Sequence, residues 1–275
     1  DGNNLIDSGD GSDAVKVGDG NNNIRTGSGN DYINAGNGDN FVDLGDGDDL
    51  VVAGNGNNII YAGNGNDDLF VGSGDNTIYL GYGDDELTIG LGNNTIISDA
   101  GNNVINVSAD PLANAENAID EFNDINNPVS SASTSFAAVS ALSASYLTSV
   151  KTAYGNDQIT IESGDAIVST GSGDDAVKVS SGSHYINLSE GNNNLKTGEG
   201  ESVVNAADGN NTIVIDDGNH EVNLGDGDNT VVVGNGDSNI EIEDGNNDVT
   251  LGAGNYNLDL GDGNNVLNLA GEALV

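Results

Sequence analysis

The chain has 275 residues, with 45 acidic side chains against 5 basic ones and a formal net charge of −40. It contains no Cys, Met or Trp, which excludes disulfide staples, thiol nucleophiles and cysteine-ligated metals. So large a negative charge excludes nucleic acid and anionic membrane surfaces as partners, since both are polyanions, and it points to cations or a high-salt or extracellular setting.

From Gly2 a glycine returns every nine residues as far as Gly101, and Ile, Val or Leu stands four residues after each one. This first array covers residues 1–107. Its unit is clear in Gly27 to Ala35 (GSGNDYINA) and Gly63 to Val71 (GNGNDDLFV). Positions 1 to 5 hold Gly, Asn and Asp, which tolerate positive φ and bond to nearby backbone, so they predict a turn. Positions 6 to 9 predict a short strand with position 7 buried and position 9, such as Val17 or Leu44, on the same face. Acidic chains usually stay disordered, but a disordered tail has no aliphatics locked to one phase of a repeat.

Nine residues cannot surround a core, whereas two units can. Position 5 of the first array alternates Asn4, Asp13, Asn22, Asp31 and onward to Asn94, until Asn103 breaks the pattern, so the true period is 18. The prediction is a coil of two strands packed face to face, with unlike edges. Twelve repeats make about six coils, a stack of about 30 Å at about 4.8 Å per coil.

Residues 108–152 drop the period and hold both prolines. Leu112, Ala115, Ile119, Phe122 and Ile125 recur at helical spacing after Pro111. Phe136, Val139, Leu142, Tyr146 and Val150 do so after the run from Ser131 to Ser135, which can cap a helix. A helical hairpin inserted between two arrays is expected here.

The second array covers residues 153–275, with the glycine beat running from Gly155 to Gly263. Position 5 reads Asp157 and Asp175, then Asn193, Asn211, Asn229, Asn247 and Asn265, alternating with Ala166, His184, Ser202, His220, Ser238 and Tyr256. His184 and His220 are two coils apart, roughly 10 Å, too far to share one metal ion. They are expected to be surface substitutions.

Stacking places Asp13, Asp31, Asp49, Asp67 and Asp85 in one column about 4.8 Å apart. At an effective dielectric near 20 each adjacent pair of charges repels by about 3.5 kcal/mol. A hard divalent cation with oxygen ligands relieves that repulsion, taking carboxylates from successive coils and carbonyls near the glycines. A column of Asn needs no ion, because a neutral amide both donates and accepts and can bond up the stack. A further acidic column, Asp208, Asp226, Asp244 and Asp262, either gathers more cations or splays into water.

GSGNDYI at 27–33, GDGDDLV at 45–51, GNGNDDL at 63–69 and GSGDDAV at 171–177 match, from its second glycine onward, the nonapeptide GGxGxDxUx. The chain thus resembles the haemolysin-type calcium-binding repeats of RTX proteins. That resemblance implies an all-β parallel β-roll with Ca2+ held between turns by the motif aspartate and backbone carbonyls. The metal-binding role then falls on Asp13, Asp31, Asp49, Asp67, Asp85, Asp157 and Asp175. Two departures stand out: the family's first glycine is replaced by a residue such as Ala35 or Leu44, and in most coils the aspartate is Asn, His or Tyr. Four strong calcium sites are therefore expected in the first array and one in the second.

No Ser/His/Asp arrangement is suggested, and no phosphate-binding Lys accompanies the GxG strings, so no catalytic role is expected. No segment approaches the roughly 18 apolar residues of a membrane span, and no signal peptide is visible. The chain opens in mid-repeat without Met, as a processed chain or fragment would. The expected function is a secreted, calcium-binding structural protein of surface-layer, matrix or adhesin type. It would fold outside the cell, where about 10⁻⁴ to 10⁻³ M sites fill. The resemblance implies type I secretion. Uncapped stack ends, and Phe41, Ile59, Tyr61, Tyr79 and Ile97 on one outward face, point to self-association into filaments or sheets. Two alternatives are an accessory or secretion module of a larger secreted enzyme or toxin, and an ice-binding roll. The last fits least, because position 8 runs Asp7, Lys16, Arg25, Asn34 instead of a regular Thr or Asn array.

Overall fold

A computed structural model of the chain describes residues 1–112, 115, 146–270 and 273–274. The chain divides into two compact units, Asp1–Tyr146 and Leu147–Val275.

The first unit runs from β1 (Leu5–Asp7) to β12 (Val104–Val107), and each strand pairs in parallel with the strand two further on. Odd strands form one sheet and even strands the other. Register follows the 18-residue period along the inward row at position 7: Ile24 pairs with Val42, Val42 with Ile60 and Ile60 with Ile78. Even strands repeat this, with Val51 opposite Leu69 and Leu69 opposite Leu87. Period-2 alternation turns positions 7 and 9 inward, so Ile24, Ile33, Leu44, Ile60, Leu69, Leu80 and Ile89 are fully buried between the sheets. This is the predicted all-β parallel roll of 18-residue coils.

The turns explain the glycines. Gly65 sits at φ +135°, and a Cβ there would strike the carbonyl oxygen of Gly47 one coil below. Only glycine permits both that backbone conformation and that approach of stacked turns.

The even-numbered sheet has a second apolar face. Tyr32, Leu50, Val52 and Phe70 point outward from β4 (Tyr32–Gly36), β6 (Leu50–Ala53) and β8 (Asp68–Val71), yet they are buried. Leu112 and Ala115, which follow β12, complete a small core with them. The predicted helical hairpin otherwise falls largely on residues 113–114 and 116–145, outside the described residues.

At the hairpin's far end the expectation is corrected. Leu147–Lys151 is a strand, β13, which pairs Val150 with Val168 in β15 (Asp165–Ser169). Thr148 and Val150 are buried while Leu147 is exposed, an alternation of two and not of 3.6. Val150 falls on the nine-residue grid, and Tyr146 stands where that grid places glycine. The missing glycine hid a repeat.

The second unit continues with the same parallel pairing to β26 (Val266–Leu269), with Ala273–Leu274 laid on β25 (Gly254–Leu260). Ile186, Val204, Val222 and Ile240 form one inward row, and Leu195, Ile213, Val231 and Val249 face them. No helix among the described residues is long and apolar enough to cross a membrane.

Candidate metal centre

The turns leading into the two sheets of the first unit differ at position 5. Those before odd strands carry Asn. The Asn58 Nδ2 donates to Gly54 O (3.2 Å), Gly56 O (3.1 Å) and Asn76 Oδ1 (3.0 Å). The same bonds recur at Asn22, Asn40 and Asn76, so the predicted amide ladder is present. The backbone N–H of Asn58 also donates to Asn76 Oδ1, at 2.9 Å. Each amide nitrogen thus lies in a cage of oxygens drawn from its own turn and the next coil.

Turns before even strands carry Asp13, Asp31, Asp49, Asp67 and Asp85, and all but Asp13 are at most 2% exposed. One carboxylate oxygen repeats the Asn geometry. Asp31 N–H donates to Asp49 Oδ1 (2.7 Å), Asp49 N–H to Asp67 Oδ1 (2.9 Å) and Asp67 N–H to Asp85 Oδ1 (3.0 Å). The other oxygen, Oδ2, takes the place that Nδ2 holds on the opposite edge. It cannot donate to the carbonyls two and four residues before it. In Asp13, Asp31, Asp49, Asp67 and Asp85 this Oδ2 is buried with no hydrogen-bond partner. A buried, unsatisfied anionic oxygen is costly.

The electrostatics express the same conflict. Burial pushes the Asp67 carboxyl up to about 8, opposed by its hydrogen bond from Asp49 N–H and reinforced by the charges of Asp49 and Asp85. Burial likewise raises Asp49 and Asp85 to about 6. Burial thus disfavours the charged form of Asp49, Asp67 and Asp85, a penalty that a nearby positive charge would relieve. Among the described residues no three acidic or histidine side chains converge on one point. A cation in this column would draw much of its coordination from turn carbonyls, as hard oxygen-seeking ions permit. The residues fit a calcium-type ion.

In the second unit the corresponding turns hold Asp157 and Asp175, both 1% exposed. Asp157 N–H donates to Asp175 Oδ1 (2.9 Å) and Asp175 N–H to Asn193 Oδ1 (3.0 Å). Asp175 Oδ2 is buried with no partner, and burial raises this carboxyl to about 6. Above it the amide ladder takes over: Asn193, Asn211 and Asn229 each donate through Nδ2 to Oδ1 of the next coil at 3.1, 3.1 and 3.2 Å.

A family model described as RTX calcium-binding nonapeptide repeat (4 copies) matches residues 16–51, 43–78, 61–96, 79–110 and 189–219. These segments are RTX calcium-binding nonapeptide repeats. RTX nonapeptides bind Ca2+, and Asp31, Asp49, Asp67 and Asp85 fall inside the matched segments. No curated protein and no solved structure shows significant similarity to the chain.

Sequence reasoning missed a second ladder in these RTX turns. Position-4 residues bond in the opposite direction: Asn66 N–H donates to Asp48 Oδ1 (2.8 Å) and Asp84 N–H to Asn66 Oδ1 (2.9 Å). The preference for Asn or Asp before the motif residue was its signal. The acidic column Asp208, Asp226, Asp244 and Asp262 behaves likewise, since Asp226, Asp244 and Asp262 donate backbone N–H to the Oδ1 below at 3.1, 3.0 and 2.7 Å. All four are solvent-exposed. His184 and His220 are not surface substitutions: both are 4% exposed. Each ring nitrogen Nε2 reaches the carbonyl four residues back, a bond that Asn makes elsewhere with Nδ2.

Proposed function

We propose that the chain is a secreted structural protein whose first unit is completed by calcium. Asp13, Asp31, Asp49, Asp67 and Asp85 would hold about four ions between successive coils, and Asp157 with Asp175 one more. The observation that carries this reading is the row of buried Oδ2 atoms without a hydrogen-bond partner, set where the opposite edge has amide donors. Bound calcium supplies the positive charge that lets these carboxylates stay ionised in the folded turn.

The same reading places folding outside the cell. Extracellular sites of this class bind at about 10⁻⁴ to 10⁻³ M, so cytosolic calcium leaves them empty and the chain can be exported before it folds. A structural role in a surface layer, matrix or adhesin agrees with the repeats filling most of the chain. Its acidity also suits a medium rich in cations.

Self-association is supported by the outer face of the odd-numbered sheet in the first unit. Ile59 and Tyr61 are 41% and 39% exposed. Tyr61 and Tyr79 stack at 4.5 Å with rings 3° from parallel, and Phe41 continues the row at 5.8 Å. Burying such a row against a second copy removes apolar surface from water.

Circular dichroism in EDTA and in millimolar calcium tests the folding claim. A chain equally folded and equally heat-stable in both would overturn it. Light scattering in calcium tests association, and a persistent monomer would count against that part alone.

A further inference from the structure

The edge of the second unit that lacks the amide ladder carries large and small residues in alternation. His184, His220 and Tyr256 stand at every second coil, with Ser202 and Ser238 between them. They line one open groove of about 910 Å³.

Both histidine rings are fixed by backbone. His184 Nε2 lies 2.8 Å from Ser180 O, and His220 Nε2 lies 3.0 Å from Asp216 O. A carbonyl can only accept, so Nε2 carries the hydrogen, and in the neutral ring Nδ1 is a bare acceptor. In both residues Nδ1 is buried and has no hydrogen-bond partner. A second proton would arrive at a nitrogen that is shut off from solvent and has no acceptor among the protein groups.

The charged groups facing these rings are all acidic. Asp165 acts on His184 from the coil below, while Glu201 from the coil below and Asp217 from the adjoining turn act on His220. Glu221 and Asp237 line the same groove. Their fields favour an imidazolium, yet none of them bonds to Nδ1. Burial outweighs them and holds both rings below the ordinary histidine value.

We propose that His184 and His220 form a proton-operated latch: neutral rings hold the turns Ser180–His184 and Asp216–His220 closed, and protonation at Nδ1 swings the rings out toward Glu201 and its neighbours. The amide edge of the same coils, at Asn193, Asn211 and Asn229, has no titrating group in its ladder and stays closed. Acid therefore opens one edge of the roll and leaves the other intact. The inference does not depend on calcium, because neither histidine lies in a turn that carries the aspartate column.

Hydrogen exchange of the full chain in millimolar calcium at pH 7.5 and pH 5, corrected for intrinsic rates, tests it. Peptides covering 184–188 and 220–224 should open up to about thirtyfold more often at pH 5, since that pH lies 1.5 units below the ordinary value of 6.5. Peptides covering 194–197 and 230–233 should change little. In the double variant His184→Asn, His220→Asn the Asn Nδ2 can make the same bond four residues back, as Asn193 does to Ser189 O, and the acid response should vanish. An equal response on both edges, no response, or a response retained by that variant would overturn the latch. Should the variant misfold, imidazole ¹⁵N spectra of the unaltered chain decide. They should report the neutral Nε2–H tautomer at pH 7.5, and an Nδ1–H tautomer or titration at or above 6.5 would sink the idea.

Discussion

Asn58 and Asp67 occupy equivalent turns on opposite edges of one coil, and the atom that separates them decides what each turn requires. Asn58 Nδ2 donates to Gly54 O, Gly56 O and Asn76 Oδ1, whereas Asp67 Oδ2 is buried without a partner. An amide brings its own positive end to the cage. A carboxylate must be given one, as a proton or as a metal ion.

Replacing Asp67 by Asn should therefore stabilise the calcium-free protein and weaken its response to calcium. A carboxyl raised from 3.8 to about 8 opposes folding at pH 7 by on the order of 4 kcal/mol, which the amide removes. Urea unfolding in EDTA should show the gain. The same variant in saturating calcium should lose most of it, and a variant less stable than its parent in EDTA would contradict the cage argument.

Without calcium, the first unit should be more stable in mild acid than at neutral pH. The folded-state carboxyls of Asp49, Asp67 and Asp85 lie above the ordinary 3.8, at about 6, about 8 and about 6. Groups raised in this way contribute stability that is full below about pH 4 and lost as pH rises through those values, so the window is about pH 4 to 8. The histidines of the second unit have the opposite sign. Their lowered values give stability that is present above 6.5 and lost as pH falls below it. Hydrogen exchange in EDTA should follow both trends, with β6, β8 and β10 (Glu86–Ile89) better protected at pH 5 than at pH 8.

The core should respond as a packed interior, independently of the ions. Leu69 is fully buried between Val51 and Leu87 of adjacent coils, so Leu69→Ala should cost about 2–5 kcal/mol in saturating calcium. Gly65→Ala removes no contact but places a Cβ against Gly47 O at positive φ, and should cost more than about 1 kcal/mol. Urea midpoints in calcium check both, and a neutral Gly65→Ala would mean that the stacked turns are looser than described.

Much of this architecture was legible because a solenoid turns sequence period directly into spatial neighbours. Reading Asn and Asp in phase at position 5 predicted the 18-residue coil and its unlike edges, and the register of Ile24, Val42, Ile60 and Ile78 follows it. Where the glycine beat breaks, at Tyr146, the repeat is no longer marked in the sequence. Tyr146 and Val150 share a spacing of four with a helix, but Val150 was held to the strand phase by its pairing with Val168. Burial of the histidines was missed for another reason. Imidazole is larger than a carboxamide, yet its Nε2–H reaches the same carbonyl, and the ring passes close to Gly182 or Gly218 of its own turn, where no Cβ stands in the way.

The central claim is that aspartate turns hold calcium and asparagine turns do not. Native mass spectrometry of the calcium-loaded chain counts the ions directly. The account predicts about five, one for each step between successive aspartates in the two columns, falling when Asp67 becomes Asn. A count of zero, or one near twenty that includes the amide turns, would contradict it.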